Sequence, residues 1–158
     1  MKDIATKSVR IVPLGGLGEI GLNCMAFEYQ DEIIGVDCGL MFSDLQMLGG
    51  EYVIPDLSYL QKNKEKIKAY IITHAHEDHI GALPFALKSC PAPIYCTAFA
   101  QKLIEVKLQE HLITTQFHLL HPGQTLAFKY FKVIPHAVTH SIVEAMALFI
   151  ETPIGKIV

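Results

Sequence analysis

The sequence predicts an α+β fold in which helices flank a sheet-on-sheet core. Three observations predict it: short apolar, strand-like segments that fall in hairpins, helical patterns lying between groups of those segments, and a hydrophobic fraction of 51% over 158 residues. That is one domain of ordinary size with enough apolar material for a real core.

In chain order, Ser8 to Leu14 alternates and reads as a strand, and Asn23 to Tyr29 with Glu32 to Asp37 reads as a hairpin turning at Gln30-Asp31. Leu40 to Leu60 is mixed and loop-like, with a short helix expected after Pro55. Ala69 to Thr73 is a buried strand, Asp78 and His79 open a helix running through Ile80 to Leu87, and Pro93 to Thr97 is a further short strand. Ala98 to His111 suits an amphipathic helix with Phe99, Leu103, Val106 and, less well placed, Leu108 on its apolar side. Gln124 to Phe128 and Lys129 to Ile134 form a second hairpin, and Ala145 to Ile150 pairs with Lys156 to Val158 across the turn Thr152-Pro153-Ile154-Gly155.

The densest chemistry lies in His74-Ala75-His76-Glu77-Asp78-His79. Residues two apart in an extended segment point the same way, so His74 and His76 aim at one point. The turn into the following helix swings Asp78 and His79 toward a second. Four donors in six residues cannot easily surround one ion, which favours two metals about 3.5–4 Å apart. Imidazoles and a carboxylate suit zinc, with manganese as an alternative, rather than calcium.

The cluster has the His-x-His-x-Asp-His form of the metallo-β-lactamase superfamily. With Pro13 through Gly21, Val36 through Phe42, Tyr52 through Asp56, Thr73 through Leu83 and Val138 through Ile142, the chain resembles the ribonuclease J branch from about residue 11 to its end. The resemblance implies an αββα sandwich with metals at one edge. It also implies that His74, His76 and His140 hold a first ion, that Asp78 and His79 supply part of a second site, and that Asp37 orients the cluster through a hydrogen bond. Asp78 is the expected catalytic residue. The implied activity is hydrolysis of RNA phosphodiesters, endonucleolytic and 5′-to-3′ exonucleolytic, by water that two ions activate. His111, His118, His121 and His136 match no ligand position, and Glu77 is read as a surface residue.

Members of that branch carry a Thr-Gly-Asp motif, a β-CASP domain and a last histidine beyond the matching segment. Residues 1–158 are therefore expected to be the N-terminal portion of a metallo-β-lactamase-like domain, truncated, with the β-CASP and C-terminal parts absent. Such a fragment is expected to hold at most one tight ion, against two in a complete site, and to be inactive alone. The chain also departs from the branch at Leu22, where a lysine is common, and at Val143-Glu144, where Pro-Asp often follows the His-Ser-Ile block.

Gly16-Leu17-Gly18-Glu19-Ile20-Gly21 fits the G-x-G-x-x-G dinucleotide pattern, and Asp37 lies at a suitable distance. No helix is expected directly after the glycines, because Asn23 to Tyr29 is strand-like and leaves no room for a crossover. Gly16, Gly18 and Gly21 are instead expected to form a tight loop beside the metals that lets substrate approach.

Charge and composition bound the remaining possibilities. The net charge of −3 is not that of a dedicated nucleic-acid binder, and Lys62 to Lys68 reads as a solvated helix end. Two divalent ions would place about +4 at the cluster, where an anionic substrate is drawn. No apolar run approaches the roughly 18 residues of a membrane span, despite a mean hydropathy of +0.31. Met1 to Lys7 lacks the apolar core of a secretory signal, so a cytoplasmic location is expected. Cys24, Cys38, Cys90 and Cys96 show no C-x-x-C spacing and read as small buried hydrophobes. RNA is the expected partner, with homo-oligomers expected of the parent and other RNA-processing proteins as further candidates. Two other functions remain open: a small-molecule thioesterase or lactonase of the same superfamily, and a non-catalytic metal-binding or interaction module.

Overall fold

The computed structural model describes residues 8–42 and 52–158. A six-stranded sheet forms the centre: β1 (Arg10–Gly15), β2 (Cys24–Tyr29), β3 (Glu32–Val36), β6 (Ile67–Ile71), β7 (Ile94–Cys96) and β8 (Phe117–Leu119), hydrogen-bonded in that order. The first three are antiparallel neighbours, whereas β3, β6, β7 and β8 run parallel. A second, antiparallel sheet contains β9 (Leu126–Ala127), β10 (Lys132–Ala137), β11 (Met146–Thr152) and β12 (Gly155–Ile157). The short strands β4 (Met41–Phe42) and β5 (Tyr52–Val53) pair with each other, and the rest of the loop between them lies outside the described residues.

Parallel neighbours need crossovers, and here every crossover contains helix. α1 (Ser58–Lys62) follows β3, α2 (Glu77–Ile80) and α3 (Leu83–Ser89) follow β6, and α4 (Ala98–Glu110) follows β7. Leu60, Ile80, Leu83, Leu87, Ile104 and Leu108 share one apolar cluster with Ile33, Tyr70 and Ile94 of the sheet, so all four helices cover the same face. Side chains of opposite parity along the strands, Phe27, Ile34, Ala69 and Ile71, meet Val133, Met146, Leu148 and Ile150 of the second sheet in a separate core. The period of two in β2, β3 and β6 thus feeds two cores at once. The expected α+β architecture is present as a helix layer on two stacked sheets. The second outer helix layer of an αββα sandwich is not seen: among the described residues no helix is in the second core.

Two buried carboxylates tie distant parts of this frame together. Glu32 accepts the backbone N–H groups of Lys129, Tyr130 and Phe131 at 2.9, 2.7 and 3.2 Å, fastening the β9–β10 turn to the start of β3. Glu28 accepts from Lys66 at 2.6 Å, from Arg10 at 3.1 Å and from Tyr59. Lys66 is thus an anchored cation rather than part of a solvated helix end.

Two sequence expectations about helices need correction. The helix expected from Asp78 through Leu87 is two helices, broken at Gly81-Ala82. Pro84 has no N–H to give to the carbonyl one turn back, and a Cβ at Gly81 would lie 2.5 Å from Leu40 and 2.6 Å from the Glu77 carbonyl. In α4 the buried stripe is Ala100, Ile104 and Leu108, spaced by four, while Phe99, Leu103 and Val106 are 37%, 38% and 56% exposed. The larger apolar side chains drew the wrong stripe, and the small Ala100 marks the face that packs closest. β8 had no sequence signal strong enough to stand out, since Phe117-His118-Leu119 is only three residues long. The four cysteines are free and buried, as expected.

Glu28 generates a pH prediction. Burial raises its pKa, but the hydrogen bonds from Lys66 and Tyr59 and the charges of Lys66 and Arg10 outweigh burial and hold it below the ordinary value of 4.5. A depressed carboxylate contributes stability that is complete above its unfolded pKa and is lost as pH falls through the folded one. Thermal midpoints of the wild type should therefore drop more steeply below about pH 4.5 than those of Glu28→Gln, which should start lower at pH 7. Parallel curves for the two proteins down to pH 3 would remove Glu28 from the acid response.

Candidate metal centre

The parallel strands β3 and β6 end side by side, and ligand sites in such sheets gather beyond the carboxyl ends of the strands. β3 runs out into Asp37, and β6 into Ile72, Thr73 and then His74. Asp37 is buried and holds a left-handed backbone, φ +56°. Its carboxylate accepts the Thr73 N–H at 2.8 Å, the Thr73 hydroxyl at 2.8 Å and the Nδ1–H of His79 at 2.8 Å.

Because a carboxylate only accepts, the Thr73 proton is committed to Asp37. The Thr73 oxygen then takes the Nδ1–H of His74, 3.0 Å away, which leaves the His74 Nε2 lone pair free. That atom lies 3.0 Å from Nδ1 of His76. His140 completes the group: its ring centroid is 4.6 Å from that of His74 and 4.9 Å from that of His76, and the donor nitrogens of all three lie within 4.8 Å of one another. His74 is buried, His76 half-buried and His140 exposed, so the group is open on one side. Three imidazole nitrogens converging with an open flank form a donor set that can hold a metal ion.

Beside it stands a second donor pair. With Nδ1 of His79 given to Asp37, its Nε2 faces the Asp78 carboxylate at 3.5 Å. Asn23 donates its amide to Asp78 at 2.9 Å and lies 3.2 Å from His79 Nε2. The rings of His74 and His79 are 3.9 Å apart, so the two donor groups adjoin.

Protonation follows from this crowding. Burial, then the neighbouring His79 and other imidazoles, push the His74 pKa down to about 4 against the pull of Asp37, leaving a neutral ligand at pH 7. Burial also disfavours charge on His79, but the hydrogen bond and charge of Asp37, with Asp78 behind them, win and raise its pKa.

Backbone contacts fix α2, which carries Asp78 and His79. The N–H groups of Asn23, Cys38 and Leu40 donate to the carbonyls of Asp78, His79 and Glu77 at 3.0, 2.8 and 3.1 Å, and Ala82 donates to Cys38 at 2.9 Å. The two segments approach so closely that a Cβ at Gly39 would sit 1.6 Å from the Asp78 carbonyl oxygen. Only glycine fits there.

The remaining sequence candidates fall as follows. Gly16, Gly18 and Gly21 all have positive φ, 84°, 76° and 101°, in a loop that returns directly into β2 without a helix, which removes the dinucleotide reading. Gly21 borders a cavity of about 400 Å³ with Met41, Phe42, Glu77 and Asp78. Gly16 and Gly18 are not among its lining residues. Glu77 is 42% exposed and pairs with Lys107 at 2.6 Å. His118 stacks on Tyr95 at 4.6 Å, and His111 meets the edge of Phe85 at 5.3 Å. Asn23, Thr73 and Gly39 carried no assignment from sequence. Their only signal was position, each adjoining or facing a candidate ligand.

The metallo-beta-lactamase superfamily profile matches residues 18–135. The chain is similar to Ribonuclease J 1 of Streptococcus pyogenes, at 46% identity over 163 residues, covering 100% of this chain and 29% of that protein. It is also similar to Ribonuclease J of Synechocystis, at 42% over 160 residues, and of Thermus thermophilus, at 42% over 159 residues, covering 99% and 95% of this chain and 25% and 28% of those proteins. The chain thus spans about a quarter of the length of the curated relatives it matches. Among solved structures, the metallo-beta-lactamase fold protein YhfI from Bacillus subtilis superposes with a TM-score of 0.61 at 24% identity, covering 90% of this chain and 58% of that one. A protein of unknown function from Enterococcus faecalis V583 gives 0.64 at 18% identity, covering 92% and 41%. Fold, donor geometry and sequence agree that this chain belongs to the metallo-beta-lactamase superfamily.

Proposed function

We propose that these 158 residues are the N-terminal metal-binding part of a cytoplasmic ribonuclease of ribonuclease J type, which hydrolyses RNA phosphodiesters at a centre held by His74, His76, His140, Asp78 and His79. The observation that carries the reading is the pairing of two adjoining donor groups, His74/His76/His140 and Asp78/His79, at one end of the parallel strands. The kinship with relatives named ribonuclease J selects the substrate class. Zinc is the ion that the three-imidazole group suits best, and manganese is the alternative.

Two divalent ions at such a centre supply an activated water and a clamp on the attacked phosphodiester. The residues of this chain prepare for that chemistry in separate ways. Thr73 and Asp37 fix the tautomer of His74, Asp37 fixes that of His79, and Asn23 holds the Asp78 carboxylate in place. The exposed flank at His140 and the cavity beside Asp78 leave room for an extended anion. Gly21, at the cavity wall, packs so closely that a Cβ there would lie 2.9 Å from Met41. A thioesterase or lactonase shares the cluster but gains nothing from the ribonuclease J kinship that runs across the whole chain.

Three predictions follow from these roles. Zinc titration of the 158-residue chain should saturate near one equivalent, because among the described residues only the first group has three protein ligands, and His74→Ala or His76→Ala should abolish tight binding. Metal content after dialysis measures it, and undiminished zinc in both variants would sink the ligand set.

Asp37→Asn keeps the left-handed backbone that asparagine tolerates while replacing one acceptor oxygen by an amide. Zinc affinity should fall about 10- to 100-fold, with circular dichroism unchanged. An affinity equal to that of the wild type would show that His74 and His79 do not depend on Asp37.

A protein carrying this segment together with the rest of a ribonuclease J reading frame should cleave labelled RNA and leave a glutathione thioester and β-lactams essentially untouched. Thioester turnover without RNA cleavage would reassign it to the small-molecule hydrolases.

A further inference from the structure

His140 is the one candidate ligand that comes from the second sheet. It stands on the loop between β10 and β11, exposed, with no part in the backbone hydrogen bonds that lock the segment from Thr73 to His79. The two ends of that loop are tied: Val138 donates to the Ala145 carbonyl at 3.0 Å, and Met146 donates to the Thr73 carbonyl at 3.0 Å. On the side toward α4, Ala137, Glu144 and Ala145 line a cavity of about 150 Å³ together with Thr97, Ala98 and Leu120.

A side-chain contact crosses to α4 beside this cavity. Glu144, with a left-handed φ of +59°, turns its carboxylate to the start of α4, where Oε2 accepts the backbone N–H of Phe99 at 3.0 Å across 45 residues of sequence. Thr97, the residue before the helix, accepts from Ala100 at 3.4 Å. The first N–H groups of a helix lack partners within it and carry the positive end of its dipole. A carboxylate is therefore the side chain best suited to hold there. α4 follows β7 directly, so the bond refers the His140 loop to the sheet whose β6 leads into His74 and His76.

We infer that Glu144 is a positioning residue for the metal centre, anchoring the His140 loop to the N-terminus of α4 so that the third imidazole stays within reach of the other two. Glu144 is not itself a ligand: the donor group contains only the three histidines, and its Oε2 is engaged with Phe99. The inference rests on the reading of His74, His76 and His140 as ligands of one ion. It also gives a purpose to the acidic side chain found four residues after His140.

Zinc affinity by chelator competition and the visible absorption of the cobalt-loaded chain test it, using Glu144→Gly, Glu144→Gln and His140→Ala in the 158-residue protein. Glycine removes the carboxylate and at the same time relieves the left-handed backbone, so a loss of metal cannot be laid to a strained loop. Glutamine keeps an acceptor oxygen. Glu144→Gly should bind zinc about fivefold more weakly, the factor that one net hydrogen bond carries, and should show an altered cobalt spectrum with an unchanged thermal midpoint for the metal-free protein. Glu144→Gln should recover most of the affinity and the wild-type spectrum, and His140→Ala should lose tight binding. If Glu144→Gly matches the wild type while His140→Ala fails to bind, the positioning role is wrong and the ligand reading stands. If Glu144→Gln is as impaired as Glu144→Gly, the hydrogen bond is not the means and the inference fails. If His140→Ala binds as tightly as the wild type, the ligand reading itself falls and takes the inference with it.

Discussion

The centre depends on a single carboxylate. Asp37 occupies the residue after β3 and receives three protons from the segment after β6, two from Thr73 and one from His79. Those bonds join the ends of two parallel neighbours, and they also choose which nitrogen of each imidazole remains free. A buried carboxylate with fewer donors would carry a large desolvation cost. Here its charge is spread over a backbone amide, a hydroxyl and an imidazole, so what holds the strand ends together also sets the chemistry of the ligands. The left-handed backbone at Asp37 has an energetic cost of about 1 kcal/mol. It turns the chain sharply enough for residues 38–40 to lie along α2, where the N–H groups of Cys38 and Leu40 satisfy the carbonyls of His79 and Glu77.

Most of the fold was legible because the periodicities are strong. The β2–β3 hairpin, its turn at Gln30-Asp31, the strand feeding the cluster and the two C-terminal hairpins follow from alternation and turn residues. What escaped was decided by tertiary contacts. α4 buries Ala100, Ile104 and Leu108 because the helix face nearest the sheet needs a small residue for close approach, whereas a search for large apolar side chains selects Phe99, Leu103 and Val106. The need for glycine at position 81, at the break between α2 and α3, comes from its close approach to Leu40, a contact that exists only once the chain after β3 is laid across α2.

The centre shows the same division. His74, His76, Asp78 and His79 announce themselves because one strand-to-helix turn brings four donors together, and local spacing alone gives their directions. His140 has no such signature, and only the resemblance to a family pointed to it. Asn23, Thr73 and Gly39 lie at the next level down. They act by holding a carboxylate, committing a proton and permitting a backbone contact, and each is a residue type too common in loops to be noticed without the geometry.

A consequence concerns how metal and fold are coupled. Two of the three nitrogens in the first group come from one rigid segment, while the third comes from a loop of the other sheet, so an ion held by all three crosslinks the sandwich at its open end. The Met146–Thr73 backbone bond already joins the sheets there, but a single hydrogen bond is worth only about 1 kcal/mol net. An ion bound only by the assembled site stabilises the folded state in proportion to the logarithm of its free concentration over its dissociation constant. Sheet packing and metal affinity are therefore two readings of one equilibrium. Substitutions that loosen the β10–β11 loop weaken metal binding and, through it, the stability of the metal-bound protein, even where they touch neither the core nor a ligand.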